Sequence, residues 1–131
     1  KEGVVRNAFD LRVEPGASVQ FEWRDWRGSP YHTGPQFAIH DGQLRFAGAT
    51  KLEIPVATWV QFEIISGLGS AQNGKWQLVV TIPGQPPHRF DDLSWTNPKF
   101  AQLTWLGFTS NATATTAFYL DNFSVRPQAR Q

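Results

Sequence analysis

Apolar side chains recur at every second position along most of this chain, and turn residues break the alternation at short, regular intervals. Val19, Phe21 and Trp23 share one face of a strand, Gln20, Glu22 and Arg24 take the other, and Pro15-Gly16 supplies the preceding turn. Phe37 and Ile39 repeat the pattern, Asp41-Gly42 reads as a two-residue hairpin turn, and Leu44 and Phe46 follow it. Gly48 precedes a strand through Leu52 and Ile54 that Pro55 ends. In Trp59–Ile65 the apolar Val60, Phe62 and Ile64 face a core, while Gln61 and Glu63 turn outward. After Asn73-Gly74, the run Trp76, Leu78, Val80 and Ile82 is the cleanest alternation in the chain, closed by Pro83-Gly84 and the loop Gln85-Pro86-Pro87. Two further runs lie around Leu103–Thr109 and Phe118–Val125, and Leu93–Phe100 is the loop expected to curl into a turn of 3₁₀.

About ten strands in one chain exceed what a single open sheet holds without splitting, so the expected fold is all-β, an antiparallel two-sheet β-sandwich of jelly-roll type. No internal repeat points to a propeller or a trefoil. At 131 residues the chain is expected to form a single domain, large enough to bury a real core. Twelve basic residues against eleven acidic ones give a net charge of +1, and no Lys/Arg cluster marks a nucleic-acid binder. The sequence holds no apolar run of about 18 residues and no charged-then-apolar leader, so neither a membrane span nor a signal peptide is expected. The absence of cysteine excludes disulfides, thiolate metal sites and a cysteine nucleophile. The abrupt start at Lys1-Glu2-Gly3 and the polar ending Arg126–Gln131 are those expected of a module excised from a longer protein.

Four stretches, Trp59–Ile64, Gly67-Leu68-Gly69, Gly74–Val80 and Phe118-Tyr119-Leu120-Asp121-Asn122-Phe123-Ser124-Val125, resemble concanavalin A-like or laminin G-like jelly-roll domains in their residues and their order. Gly34–Gly42 fits the same pattern more loosely. Carbohydrate-binding jelly rolls with a galactose-binding-like fold end in a similar strand, so the resemblance stands between the two. It implies an accessory module beside a polysaccharide-degrading catalytic domain in a secreted or cell-surface bacterial protein. The chain is short for a concanavalin A-like domain, so strands of the full pattern are expected to be missing at its N-terminal end.

Catalytic chemistry finds little support. Glycoside hydrolysis needs two carboxylates flanking one bond, and the Glu-x-Asp-x-x-Glu strand of concanavalin A-like glucanases is absent. Asp91-Asp92 is the one adjacent acidic pair; neighbours on an extended chain point to opposite sides, so it reads as a solvated turn. The Gly-x-Ser-x-Gly elbow is missing despite Gly67-Leu68-Gly69-Ser70, and His32, His40 and His88 lack metal-ligand spacing. The sequons Asn111-Ala112-Thr113 and Asn122-Phe123-Ser124 carry no weight. A structural calcium is the one candidate cofactor: Asp121 and Asn122 are the side chains to hold it, with Asp10 or Asp25 arriving from the N-terminal half, and a buried Asp capping a loop is the alternative reading.

Six Trp, two Tyr and ten Phe exceed what a small sandwich core needs. Sugar rings lie flat on Trp or Tyr, while their hydroxyls bond to Arg, Asn, Gln, Asp and Glu, so rings and polar groups must converge. Phe21, Trp23, Phe37, Phe62 and Trp76 are in phase with aliphatic residues and read as core, with Trp59 at its edge. Trp26, Tyr31 and Trp95 fall in polar, Gly/Pro-rich loops, and Arg24, Arg27 and His32 flank the first two; these six form the candidate ligand site. Folding of the loop Trp over one end of the sandwich is the alternative, and a polar sheet face bearing Gln20, Glu22, Gln61, Glu63 and Gln77 is a second candidate cleft. The expected function is a non-catalytic carbohydrate-binding module that tethers an attached polysaccharide-active enzyme to a poly- or oligosaccharide. A structural or protein-interaction domain is the rival, and a hydrolase or lyase is the third reading.

Overall fold

The computed structural model describes residues 3–112 and 115–127, excepting the Ser70 side chain; Lys1, Glu2, Thr113 of the first sequon, Ala114 and the tail 128–131 lie outside the described residues. The chain runs through β1 (Gly3–Val13), β2 (Ser18–Asp25), β3 (His32–His40), β4 (Gln43–Phe46), β5 (Ala49–Glu53), β6 (Val60–Leu68), β7 (Lys75–Thr81), β8 (His88–Ser94), β9 (Trp105–Ser110) and β10 (Phe118–Pro127). Every strand pairing is antiparallel. Sheet A has the order β10-β1-β6-β7-β8 and sheet B the order β5-β4-β3-β2-β9. The architecture is the two-sheet sandwich that the alternation predicts. Asp41 and Gly42 both adopt positive φ, 51° and 69°, between the paired His40 and Gln43, the geometry of a two-residue hairpin turn.

The inward residues of the two sheets meet around Phe9 of β1, whose ring centroid lies 5.2 Å from Phe21, 5.6 Å from Phe62 and 5.0 Å from Phe108. Val19, Phe21 and Trp23 of β2, Phe37 and Ile39 of β3, and Trp76, Leu78 and Val80 of β7 are buried around it. Three tryptophans lie in this core, and each donates its indole N–H: Trp23 to Asn7 Oδ1 (3.1 Å), Trp76 to the Ser94 carbonyl (3.2 Å) and Trp95 to Ser66 Oγ (3.0 Å). Asn7 in turn donates to the Ser124 carbonyl of β10 (2.9 Å), so one polar chain crosses the sandwich from β2 through β1 to the edge strand. Among the described residues no buried side-chain N or O atom lacks a partner, as low-dielectric burial demands.

Several expectations need correction. The 3₁₀ turn lies at Gly69–Ala71, while Leu93 and Ser94 end β8 and the segment to Phe100 is irregular. Asp91 and Asp92 form no turn but sit on the edge strand β8, where positive φ at Asp92 (56°) accompanies a break in the pairing register with β7. Both are exposed. The five polar residues of the second candidate cleft do not share a face: Gln20 and Glu22 belong to sheet B, whereas Gln61, Glu63 and Gln77 belong to sheet A. Alternation fixes which side of a strand a residue takes, but strand order decides which sheet carries it.

Candidate functional site

Gln20, Glu22 and Arg24 of β2 point away from the core, and the strand register sets three rows across the outer face of sheet B. Arg45, Ala38, Gln20 and Thr109 form the first row, Gln36, Glu22 and Gly107 the second, and Thr33, Arg24 and Trp105 the third. Glu22 is only 4% exposed although it faces outward, because its neighbours cover it. Arg24 Nε donates to Glu22 Oε1, and Gln20 Nε2 donates to Glu22 Oε2 at 3.3 Å.

The Arg24 guanidinium lies between two rings, with Cζ 4.1 Å from the centroid of Tyr31 and 4.1 Å from that of Trp105. Trp26 packs on Tyr31 at 4.5 Å between centroids, completing a stack in the order Trp26, Tyr31, Arg24, Trp105. The two tryptophans at its ends are 47% and 38% exposed. A glycine makes room for the last ring: a Cβ on Gly107 would sit 2.6 Å from Trp105 Cζ2.

Asp25 holds both limbs of this site together. Its buried carboxylate accepts from Arg27 Nε and Nη2 (2.9 and 2.8 Å to Oδ1 and Oδ2), from the Arg27 backbone N–H (3.1 Å), and from the backbone N–H groups of Ala101 and Gln102 (3.2 Å each). The β2–β3 hairpin loop is thereby tied to the segment leading into Trp105. Trp26 N–H donates to Thr104 Oγ1 (2.8 Å), and Thr104 N–H donates to the Arg24 carbonyl (3.1 Å). The side-chain bonds from Arg27 hold the Asp25 carboxyl well below the usual carboxylate range, with backbone N–H groups assisting and burial opposing.

Of the residues singled out in the sequence, Arg24, Trp26 and Tyr31 converge in the stack, and Arg27 stands beside them through Asp25. His32 pairs in register with Asp25, which puts it on the opposite side of the sheet from Arg24. Trp95 is the correction: it is 4% exposed, meets Phe100 edge to face at 4.9 Å and belongs to the core. Its segment crosses from sheet A to sheet B, where Thr96 and Asn97 N–H groups bond to the Gly34 and Thr33 carbonyls, and that crossing draws the indole inside. Trp105 escaped sequence reasoning. The spacing Trp105-Leu106-Gly107 was the available signal, because residues two apart share a strand face and glycine leaves space for a ring.

At the proposed calcium position, Asn122 adopts positive φ (52°) at an irregularity in the pairing of β10 with β1. Asn122 Nδ2 donates to Asp10 Oδ2 at 2.6 Å, and its backbone N–H donates to Asp121 Oδ1 at 2.8 Å. Asp10 does arrive from the N-terminal half, whereas the Asp25 carboxylate is committed to Arg27 and the 101–102 backbone. The amide thus turns its nitrogen toward Asp10, the arrangement of a hydrogen-bonded bulge. Among the described residues no group of three or more His, Cys, Asp or Glu side chains is disposed to hold a metal ion.

Compared with family models, with curated proteins and with solved structures, the chain finds no significant match in any of the three.

Proposed function

We propose that this sandwich is a non-catalytic carbohydrate-binding module of a secreted, polysaccharide-active protein, and that it takes its glycan on the outer face of sheet B. The observation that carries the reading is the stack Trp26–Tyr31–Arg24–Trp105 lying beside Gln20, Glu22 and Gln36 on one face. Ring faces offer apolar contact to the C–H side of a pyranose, and the adjacent Gln20 and Gln36 amides offer partners to its hydroxyls. The ion pairs to Glu22 and Asp25 hold the ring-bearing segments in place before a ligand arrives, which lowers the ordering cost of binding. Binding without chemistry would serve by raising the local concentration of an attached enzyme on its polymer.

Affinity gels and a glycan array of the isolated protein test the proposal. Trp105→Ala and Trp26→Ala should each weaken any hit by about tenfold or more, about 1.4 kcal/mol. A folded protein that ignores every polysaccharide would overturn it. The rival reading, a protein-interaction domain, is favoured by one observation: Tyr119, Leu120 and Phe123 are exposed on the edge strand β10. Leu120→Ser with Phe123→Ser should leave glycan capture unchanged under the first reading.

A further inference from the structure

We infer that a break in sheet B forms a second ligand site, apart from the ring stack, and that it takes a sugar unit bearing a carboxylate or sulfate; that the anion belongs to a sugar rests on the carbohydrate-binding reading above. β3 pairs with β4 through Ala38, Ile39 and His40, and farther along the same edge the Thr33 and Gly34 carbonyls accept from the Asn97 and Thr96 N–H groups. Gln36 lies between these two partners. His40 and Gln43 close a two-residue hairpin and so form a hydrogen-bonded pair, and bonded pairs along one edge recur at every second residue. The backbone N–H and C=O of Gln36 therefore face the same edge as those of Ala38. There β4 has already ended at Phe46, and the chain turns away through Ala47 and Gly48, both at positive φ. Among the described residues neither backbone group of Gln36 has a backbone partner on that edge. Both open into a hollow of about 720 Å³, bounded by β4 on one side and by Asp92–Thr96 on the other.

The side chains around this hollow select an anion. Arg45 stands exposed on the β4 wall, and among the described residues its guanidinium bonds to the neutral Gln43 Oε1 (2.7 Å) and to no carboxylate. Arg24 and Arg27, at the ring stack, are each paired with an acid. A guanidinium with donors to spare matches two oxygens of a carboxylate or sulfate. Lys51 adds a second cation nearby, its Nζ 5.3 Å from the centroid of Phe46, a ring that lines the hollow. Asp92 is the one acid lining it and stands on the opposite wall, where its carboxylate oxygens suit sugar hydroxyls. Ala38 separates Arg45 from Gln20 within one row, so only a methyl rises between two side chains whose strands are about 10 Å apart. Gln36 Oε1 accepts from Thr96 Oγ1 (2.8 Å), while its amide nitrogen has no side-chain partner among the described residues. Arg45 thus takes the anionic group, and Gln36 and Asp92 take the hydroxyls of the same ring.

The test is an amide-resolved NMR titration of the intact protein with methyl galacturonoside, methyl galactoside 6-sulfate, neutral methyl galactoside and inorganic sulfate. Each is taken to about 50 mM, enough to reveal a millimolar Kd. The expected result is that one or both acidic sugars shift the Gln36 amide and the Arg45 side-chain resonance, and the stronger of the two tells carboxylate from sulfate. Raising salt from about 0.05 to about 0.5 M should weaken this binding about threefold or more, because an ion pair forms. Arg45→Gln, an exposed and fold-neutral change, should weaken it about tenfold, with Arg45→Lys falling between. Neutral galactoside bound as tightly as the acidic sugars, or Arg45→Gln without effect, would overturn the anion site. Inorganic sulfate bound as tightly would overturn its assignment to a sugar. No shift at Gln36 and Arg45, with polysaccharide still captured in a Trp105-dependent manner, would overturn this inference alone and leave carbohydrate binding standing. Silence from a folded sample toward both these sugars and every polysaccharide overturns both readings.

Discussion

Replacing Asn7 by alanine should be among the most damaging single changes to this protein. Asn7 is fully buried, accepts the Trp23 indole N–H at 3.1 Å and donates to the Ser124 carbonyl at 2.9 Å. The substitution strands both partners. A buried donor or acceptor left unpaired costs about 1–3 kcal/mol. The Trp23 indole has no route to water and should bear the full penalty, whereas the Ser124 carbonyl, on a half-exposed edge strand, recovers part of its loss. The sum is about 2–4 kcal/mol, a large share of the roughly 5–15 kcal/mol that holds a typical domain together. For a chain of this length it corresponds to a melting temperature lowered by roughly 10 °C or more. Urea unfolding followed by far-UV circular dichroism reads it directly, and the slope with denaturant should not change. Asn7→Leu combined with Trp23→Phe closes a double-mutant cycle, in which the pair should be less costly than the two single changes added, by about 1 kcal/mol or more. A loss below about 1 kcal/mol for Asn7→Ala would refute the argument, since the polar link would then not depend on its partners for satisfaction.

Four further outcomes follow from the same geometry. Because the Asp25 carboxyl is held below its unfolded value near 3.9, its stabilisation is complete above that pH and is lost as pH falls toward the folded value; acid titration of stability should show this slope in the native protein and not in Asp25→Asn. Asp25→Ala leaves the Ala101 and Gln102 N–H groups without their acceptor and should cost about 2–4 kcal/mol in thermal or urea unfolding. Gly107→Ala should push the Trp105 ring off its seat, changing the fluorescence and weakening glycan capture, while stability moves by no more than about 1 kcal/mol. Gly34→Ala, by contrast, drives a Cβ to within 2.6 Å of the buried Phe100 ring and should cost about 1–3 kcal/mol by overpacking.

The fold was legible wherever apolar alternation ran unbroken. Val19-Phe21-Trp23 and Trp76-Leu78-Val80 announce their own burial, and Asp41-Gly42 announces its turn. β1 stayed hidden because Asn7 stands in the inward line of Val5, Phe9, Leu11 and Val13, and only its contact with Trp23 on another sheet explains a polar residue there. β8 was masked by flanking prolines and by the acidic pair at its register break. Loop aromatics were the least readable, since tertiary contacts alone decide whether a ring outside the alternation is covered: Trp26 is open and Trp95 is closed, though both follow an acidic or polar neighbour in a loop-like segment. The candidate site was half visible for the same reason. Arg24, Trp26 and Tyr31 lie within one hairpin, whereas Trp105 joins them from a strand some 80 positions on, roughly the separation of the Arg24–Trp105 pairing.

The tryptophans also give the protein two optical populations. Trp23, Trp76 and Trp95 are sealed in the core with satisfied indoles, while Trp26, Trp59 and Trp105 face solvent. Iodide or acrylamide will quench the second set and spare the first. A ligand seated on the Trp26–Tyr31–Arg24–Trp105 stack would shield Trp26 and Trp105, and unfolding would expose the sealed trio at once. Conversion of Trp59 to Phe removes the remaining background, so that a single emission spectrum distinguishes occupancy of the face from loss of the core in unlabelled protein.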